Sequence, residues 1–272
     1  MKMTHILTPL ALAVSAVAAS TAMAGPSGYA PPAPPPKLYH AGTAVVRLGA
    51  GYVNPDSSSS SNLRYPDVFP EYSGLKYDLD DNTTWQFSAM FMPMDHWSIE
   101  FGYVGESSHD LEIRNLGALG LPEIQGNRRN LGSLDSYSST LMVNWLPVCP
   151  ESWVQPYIGV GANYTGFDSV NVRAPVNDLL FEVGDAVGPA RVSVDDSWGW
   201  AAQVGVDVLF GRESNWLVNA AVQYHDVETT SSLRYVVDGV TNTGAPRQFV
   251  NSVRTDLDVD PWVYTLGIGY KF

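Results

Sequence analysis

Few side chains in this 272-residue chain have the type and spacing to do chemistry. His225 with Ser138 or Ser197 supplies a base and a hydroxyl, the parts of nucleophilic acyl transfer. No catalytic spacing accompanies them, so a histidine satisfied by its neighbours is expected, and no enzyme. The stretch "DLDVD" sets Asp256, Asp258 and Asp260 on one face of a strand but lacks the glycine and distal glutamate of a Ca²⁺ loop. It reads as a solvated acidic rim, or one bridged by divalent ions among lipopolysaccharides; neither a metal site nor a cofactor is expected. Cys149 has no second cysteine to pair with. What remains is four charges, Arg47, Glu100, Asp207 and Lys271, each set inside an otherwise apolar segment, where a charge needs a partner.

The segments that carry these charges alternate with period two. The chain finishes "PWVYTLGIGYKF", with Trp262, Tyr264, Leu266, Ile268, Tyr270 and Phe272 on one face and small or polar residues between most of them. Such alternation marks a strand whose faces meet different surroundings. Seven more segments repeat it: 42–53, 84–92, 97–104, 137–146, 156–165, 197–210 and 216–226. The links "PMDH", "PVCPES" and "GRESN" are short, and the other four run to about 30 residues, a length compact domains rarely tolerate. All the long links then emerge at one end. An even strand number with short turns at one end and long loops at the other is the pattern of an outer-membrane barrel. The fold class expected is therefore all-β: an eight-stranded antiparallel transmembrane β-barrel with four long external loops over residues 40–272.

Aromatic residues sort by depth on this scheme. Trp97, Trp145 and Trp216 fall at the periplasmic rim, and Trp85, Trp198 and Trp262 near the outer rim, as interfacial girdles require. The start of the chain fits the same compartment. Residues 1–24 have a short polar head with Lys2, an apolar run and Ala22-Met23-Ala24, the form of a cleaved export signal. Residues 25–39 are rich in proline and read as a periplasmic leader without a core of its own. After residue 24 no apolar run approaches the length of a spanning helix. The net charge of −13 repels phosphate backbones, so nucleic acid is not an expected partner.

The blocks "PYIGVGANYTGF", "DDSWGWAAQVGVDVLF", "NWLVNAAVQY" and "DPWVYTLGIGYKF" closely resemble the OmpW family of small outer-membrane proteins, and "DNTTWQF" resembles the start of that family's second strand. The resemblance spans most of residues 40–272. It implies a barrel in a Gram-negative outer membrane associated with passage of small hydrophobic molecules, although some members serve as receptors or antigens. It also implies that Phe272 is the aromatic signal read by the barrel-assembly machinery. Positions often bulky and apolar in the family are Gly102 and Gln223 here, which argues against a strongly hydrophobic gate.

An eight-stranded barrel is barely wide enough for its own inward side chains. Glu100, Asp207 and Lys271 are expected to form a network across the lower lumen, with Arg47 near mid-depth and Met142 also inward. Above them Gly51, Gly102, Val104, Gly161, Gly199, Ala201, Ala221 and Val263 are expected to leave an apolar cavity. The function expected is passive uptake of a small hydrophobic solute that leaves sideways through the wall into lipid; the alternative is a non-transporting anchor, antigen or receptor acting through its loops.

Overall fold

The computed structural model describes residues 36–55, 62–63, 76–114, 128–168, 171–172, 178, 187–211, 213–240 and 243–272. The export signal at 1–24 and the leader as far as residue 35 lie outside the described residues. Among those described, fourteen strands follow in order: β1 (Ala44–Asn54), β2 (Asn62–Leu63), β3 (Lys76–Leu79), β4 (Asn82–Met94), β5 (Trp97–Arg114), β6 (Arg128–Trp145), β7 (Val154–Phe167), β8 (Asn171–Val172), β9 (Arg191–Val194), β10 (Ser197–Phe210), β11 (Trp216–His225), β12 (Glu228–Val240), β13 (Pro246–Asp258) and β14 (Trp262–Lys271).

Eight of these, β1, β4, β5, β6, β7, β10, β11 and β14, form a meander in which each strand is antiparallel to the next. The last returns to the first, in register from Val45↔Lys271 to Asn54↔Trp262, and closes the barrel. Closure leaves no unpaired edge, which a structure in hydrocarbon needs because no water can satisfy one. The burial pattern is inverted relative to a soluble domain. Leu48, Val160 and Leu266 are 61, 65 and 63 % exposed, while Arg47, Asn144 and Asp207 are at 0 %. Period-two alternation thus sends apolar residues outward and charges inward, as a lipid solvent requires.

The outer girdle is close to continuous. Ring contacts run Trp85–Tyr103–Tyr137–Tyr164–Trp198 at centroid separations of 4.9–6.3 Å, and a second run joins Trp200, Tyr224 and Trp262 at 5.2 and 5.3 Å. At the other end Trp216, Tyr270 and Phe272 are in edge contact, 5.1 and 4.9 Å apart.

Two strands outrun their sequence bounds. β5 and β6 were expected over 97–104 and 137–146, but both extend well beyond the outer girdle, to Arg114 and from Arg128. Past the girdle there is no lipid face to impose apolar alternation, so Ser107, Ser108, Asp110 and Glu112 continue the strand by pairing alone. The last long link also carries structure: β12 and β13 form a hairpin that, with β2 and β9, makes a four-stranded sheet distinct from the barrel ladder. It joins the barrel at a break where Asp260 takes a positive φ of 38°. Asp256, Asp258 and Asp260 therefore do not share one continuous strand; Asp260 turns to accept the Val227 amide, and Asp256 accepts the Thr230 hydroxyl.

Candidate functional site

The inward face of β1 sets the site. Arg47 projects into the lumen and is fully buried. Its guanidinium is gripped by Asp207 of β10, with Nη2 donating to Oδ2 at 2.5 Å and Nε to Oδ1 at 3.1 Å, and by Glu100 of β5, with Nη1 donating to Oε1 at 2.9 Å. A planar fork facing two carboxylates is the geometry arginine is suited to. The remaining carboxylate lone pairs are filled as well. Asn144 and Gln203 donate to Glu100, Asn219 and Tyr39 donate to Asp207, and the Tyr157 ring lies 5.5 Å from the guanidinium carbon. Three buried charges are tolerated because they are mutually paired and hydrogen-bonded.

Below this network the lumen is closed by the segment that precedes β1. Tyr39 is 1 % exposed and its hydroxyl donates to Asp207 at 2.7 Å. The amides of Leu38 and Tyr39 both donate to the Pro150 carbonyl, at 2.7 and 2.9 Å. Outside the mouth, Lys37 pairs with Asp95 at 2.8 Å, a hydrogen bond that raises the lysine pKa and lowers that of the aspartate. Lys271 donates to the Leu38 carbonyl at 3.0 Å and joins neither Glu100 nor Asp207. Its expected place in the charge network is thus corrected: the folded-back segment, absent from a strand-by-strand reading, stands between it and the carboxylates.

Above the network a hydrogen-bonded column continues toward the outer rim. Gln203 donates to Asn144 at 2.6 Å, Gln223 donates to Gln203 at 3.0 Å, and the Gln223 oxygen meets His225 Nε2 at 3.1 Å. His225 Nδ1 then faces Ser138 Oγ at 3.3 Å. This column corrects the expectation of a roomy apolar upper lumen. Among the described residues a cavity of about 30 Å³ lies beside the column, lined by Val53, Val104, Val263, Ser107, Ser138 and His225, among others. Gly102 lines none of it, because the Thr140 hydroxyl lies only 2.5 Å from where a Cβ would sit.

The wall beside this cavity is irregular. The β4–β5 ladder stops at Gln86↔Val104. Beyond it, side chains of β4 reach backbone carbonyls of β5: Thr84 donates to Glu106 at 2.8 Å and Asn82 to Ser108 at 2.6 Å. On its other edge β5 bulges between Val104 and Ser107. Gly105 sits in that bulge and lines the cavity, and a Cβ there would overlap the Trp85 indole. A glycine backbone and one half-exposed tryptophan therefore separate the cavity from the surrounding lipid.

This architecture has known counterparts. The OmpW family profile matches residues 40–272. The chain belongs to the OmpW family. It is 30% identical to outer membrane protein W of Salmonella typhimurium over 95% of this chain and 98% of that protein. It is also similar to the crystal structure of the outer membrane protein OprG from Pseudomonas aeruginosa, with 27% identity, a TM-score of 0.65, and 87% and 98% of the two chains covered. The solid-state NMR structure of outer membrane protein AlkL in DMPC lipid bilayers shares the fold, with 17% identity, a TM-score of 0.51, and coverage of 93% and 97%. The protein is therefore a Gram-negative outer-membrane β-barrel.

Within this OmpW-family barrel the sequence-predicted residues fall as follows. Arg47, Glu100, Asp207, Met142, Gln223, Val104 and Val263 are all buried in the lumen. Arg47, Glu100 and Asp207 come together; Val104 and Val263 meet with Val53 higher up. Trp85, Trp97, Trp145, Trp198, Trp216 and Trp262 all face outward and are 43–76 % exposed. Phe272 is exposed at the barrel end, its amide donating to the Ala44 carbonyl. Sequence reading missed Tyr39 and Tyr157, the two buried phenols of the network. Tyr157 had a signal, since it occupies the inward register of a strand whose outward residues are Ile158 and Val160. Tyr39 had none, because it lies outside any alternating segment.

Proposed function

We propose that this barrel passes small, largely apolar molecules from the outer face into the membrane through its wall, without conducting water or ions along its axis. The observation that carries the reading is the pairing of a closed lumen with a thin wall. Straight passage would have to break the Arg47 network and expel Tyr39, whereas sideways passage from the cavity needs the Trp85 ring to move and β4 and β5 to part beside Gly105, where two side-chain hydrogen bonds stand in for the ladder. Turning one half-exposed side chain and parting two neutral hydrogen bonds is a smaller change than exposing three buried charges. The family's association with hydrophobic solutes, carried by the sequence resemblance, points the same way. A cavity of about 30 Å³ is well below the roughly 150 Å³ that holds benzene, so this is a closed state that opens around its solute.

Ser138 and His225 lie 3.3 Å apart, but the serine hydroxyl donates to Asn163 at 2.7 Å, and the second imidazole nitrogen faces an amide oxygen rather than a carboxylate. We read the pair as bracing the column, and purified protein is expected to leave lipid and short esters intact. The test of the main reading is uptake into proteoliposomes. Wild-type protein should speed entry of an apolar fluorophore while showing no porin-like conductance; a steady ionic conductance, or no gain in uptake over protein-free vesicles, would reject it.

A further inference from the structure

The cavity is too small for a whole solute, and its lining combines two chemistries. Val53, Val104 and Val263 contribute a buried apolar cluster. Ser107, Ser138 and His225 contribute polar groups to the same lining. Ser107 is 3 % exposed, and its buried hydroxyl has no hydrogen-bond partner among the described residues. The Ser197 hydroxyl is also buried and unpartnered, and Ser197 pairs across the strands with Thr165, another lining residue. A buried hydroxyl without a partner is unfavourable, and its persistence at a cavity calls for a ligand atom.

The neighbours fix what that atom must be. Gln223 uses its amide nitrogen on Gln203, so its oxygen faces His225 and takes the Nε2 proton. His225 Nδ1 is then an acceptor 3.3 Å from Ser138 Oγ, whose single proton goes to Asn163 Oδ1 at 2.7 Å, so the imidazole lone pair is not taken up by the serine. The site thus offers a donor in Ser107 and an acceptor in His225, and no lining residue carries a formal charge to neutralise an ion. A volume of about 30 Å³ admits on the order of two water-sized groups.

We propose that this cavity binds the head group of a small neutral molecule with a single oxygen function, an alcohol, phenol, aldehyde or ketone, whose apolar body lies along the valines toward Gly105 and Trp85. The assignment rests on the lateral route above and narrows its substrate class: oxygen-bearing hydrophobes are preferred to plain hydrocarbons, and carboxylates are rejected.

The test uses the full-length barrel in lipid nanodiscs, titrated with p-cresol and p-xylene. These match in size and differ by a hydroxyl for a methyl. After subtraction of partitioning into empty nanodiscs, p-cresol should bind on the order of tenfold more tightly and shift the signals of Ser107 and His225. Ser107→Ala should bring the ratio toward one, weakening p-cresol and strengthening p-xylene, and 4-methylbenzoate should not bind. Should that variant fail to fold, the wild-type ratio decides alone. Equal binding of both probes overturns the head-group site while leaving lateral passage standing. Accelerated uptake of both with no saturable binding overturns the site in the same way. No binding and no uptake of either overturns the lateral route as well.

Discussion

Arg47→Met is the most exposed consequence of the lumen network. The substitution keeps much of the side-chain bulk but deletes three hydrogen bonds to carboxylates, at 2.5, 2.9 and 3.1 Å. It leaves Glu100 and Asp207, 4 % and 0 % exposed, without a cation. Breaking a buried pair by removing one partner costs about 3–5 kcal/mol. That lowers the folded-to-unfolded ratio by roughly two to four powers of ten, at about 1.4 kcal/mol per tenfold. The amide donors on both carboxylates keep the cost from rising further. Urea titration in lipid vesicles, followed by the emission of the interfacial tryptophans, measures it. The triple variant Arg47→Met, Glu100→Gln, Asp207→Asn removes all three charges and keeps the shapes, and should recover most of the loss, since a neutral network has no unpaired charge to desolvate. Arg47→Met within about 0.5 kcal/mol of wild type, the scatter of ordinary surface substitutions, or a triple variant no better than the single one, would refute the argument that pairing holds the lumen shut.

Other consequences follow from neighbouring geometry. Tyr39→Phe removes one donor from Asp207 and should cost about 1–2 kcal/mol in the same titration, with no conductance gained because the Arg47 grip persists. Trp85→Ala removes the ring over Gly105 and should raise apolar-solute uptake severalfold at unchanged ionic conductance. His109, in the part of β5 beyond the girdle, is disfavoured as a cation by burial, which lowers its pKa despite its bond to the Asp80 carbonyl. Because the unfolded segment binds a proton more readily, the pairing of β3 with β5 should weaken as pH falls below about 6.5. Hydrogen exchange at β5 should be faster at pH 5.5 than at pH 7.5 after correction for intrinsic rates, and His109→Gln should abolish the difference.

Strand number, inside and outside, and both girdles were legible because lipid and lumen impose period-two alternation that a one-residue slip would invert. Arg47, Glu100 and Asp207 could be placed together because a charge inside a barrel must find another. The rest was hidden for identifiable reasons. Tyr39 enters the lumen from a segment with no periodicity, so it displaced Lys271 from the role its register suggested. Gln203 and Gln223 looked like ordinary inward polar residues, yet their amides link end to end and fill the space that small neighbours such as Gly102 and Ala221 had promised. The ladder break at Gly105 arises from a bulge, and one extra residue in a strand leaves little trace in an alternating pattern.

The most direct test of the wall route is a staple across it. Thr84→Cys with Glu106→Cys, in a Cys149→Ser background, would bridge β4 and β5 where side-chain bonds now replace the ladder. Oxidised protein should lose its acceleration of apolar-solute uptake into proteoliposomes and regain it on reduction, with conductance near zero throughout. Uptake that proceeds unchanged with the bridge intact would contradict exit between these strands.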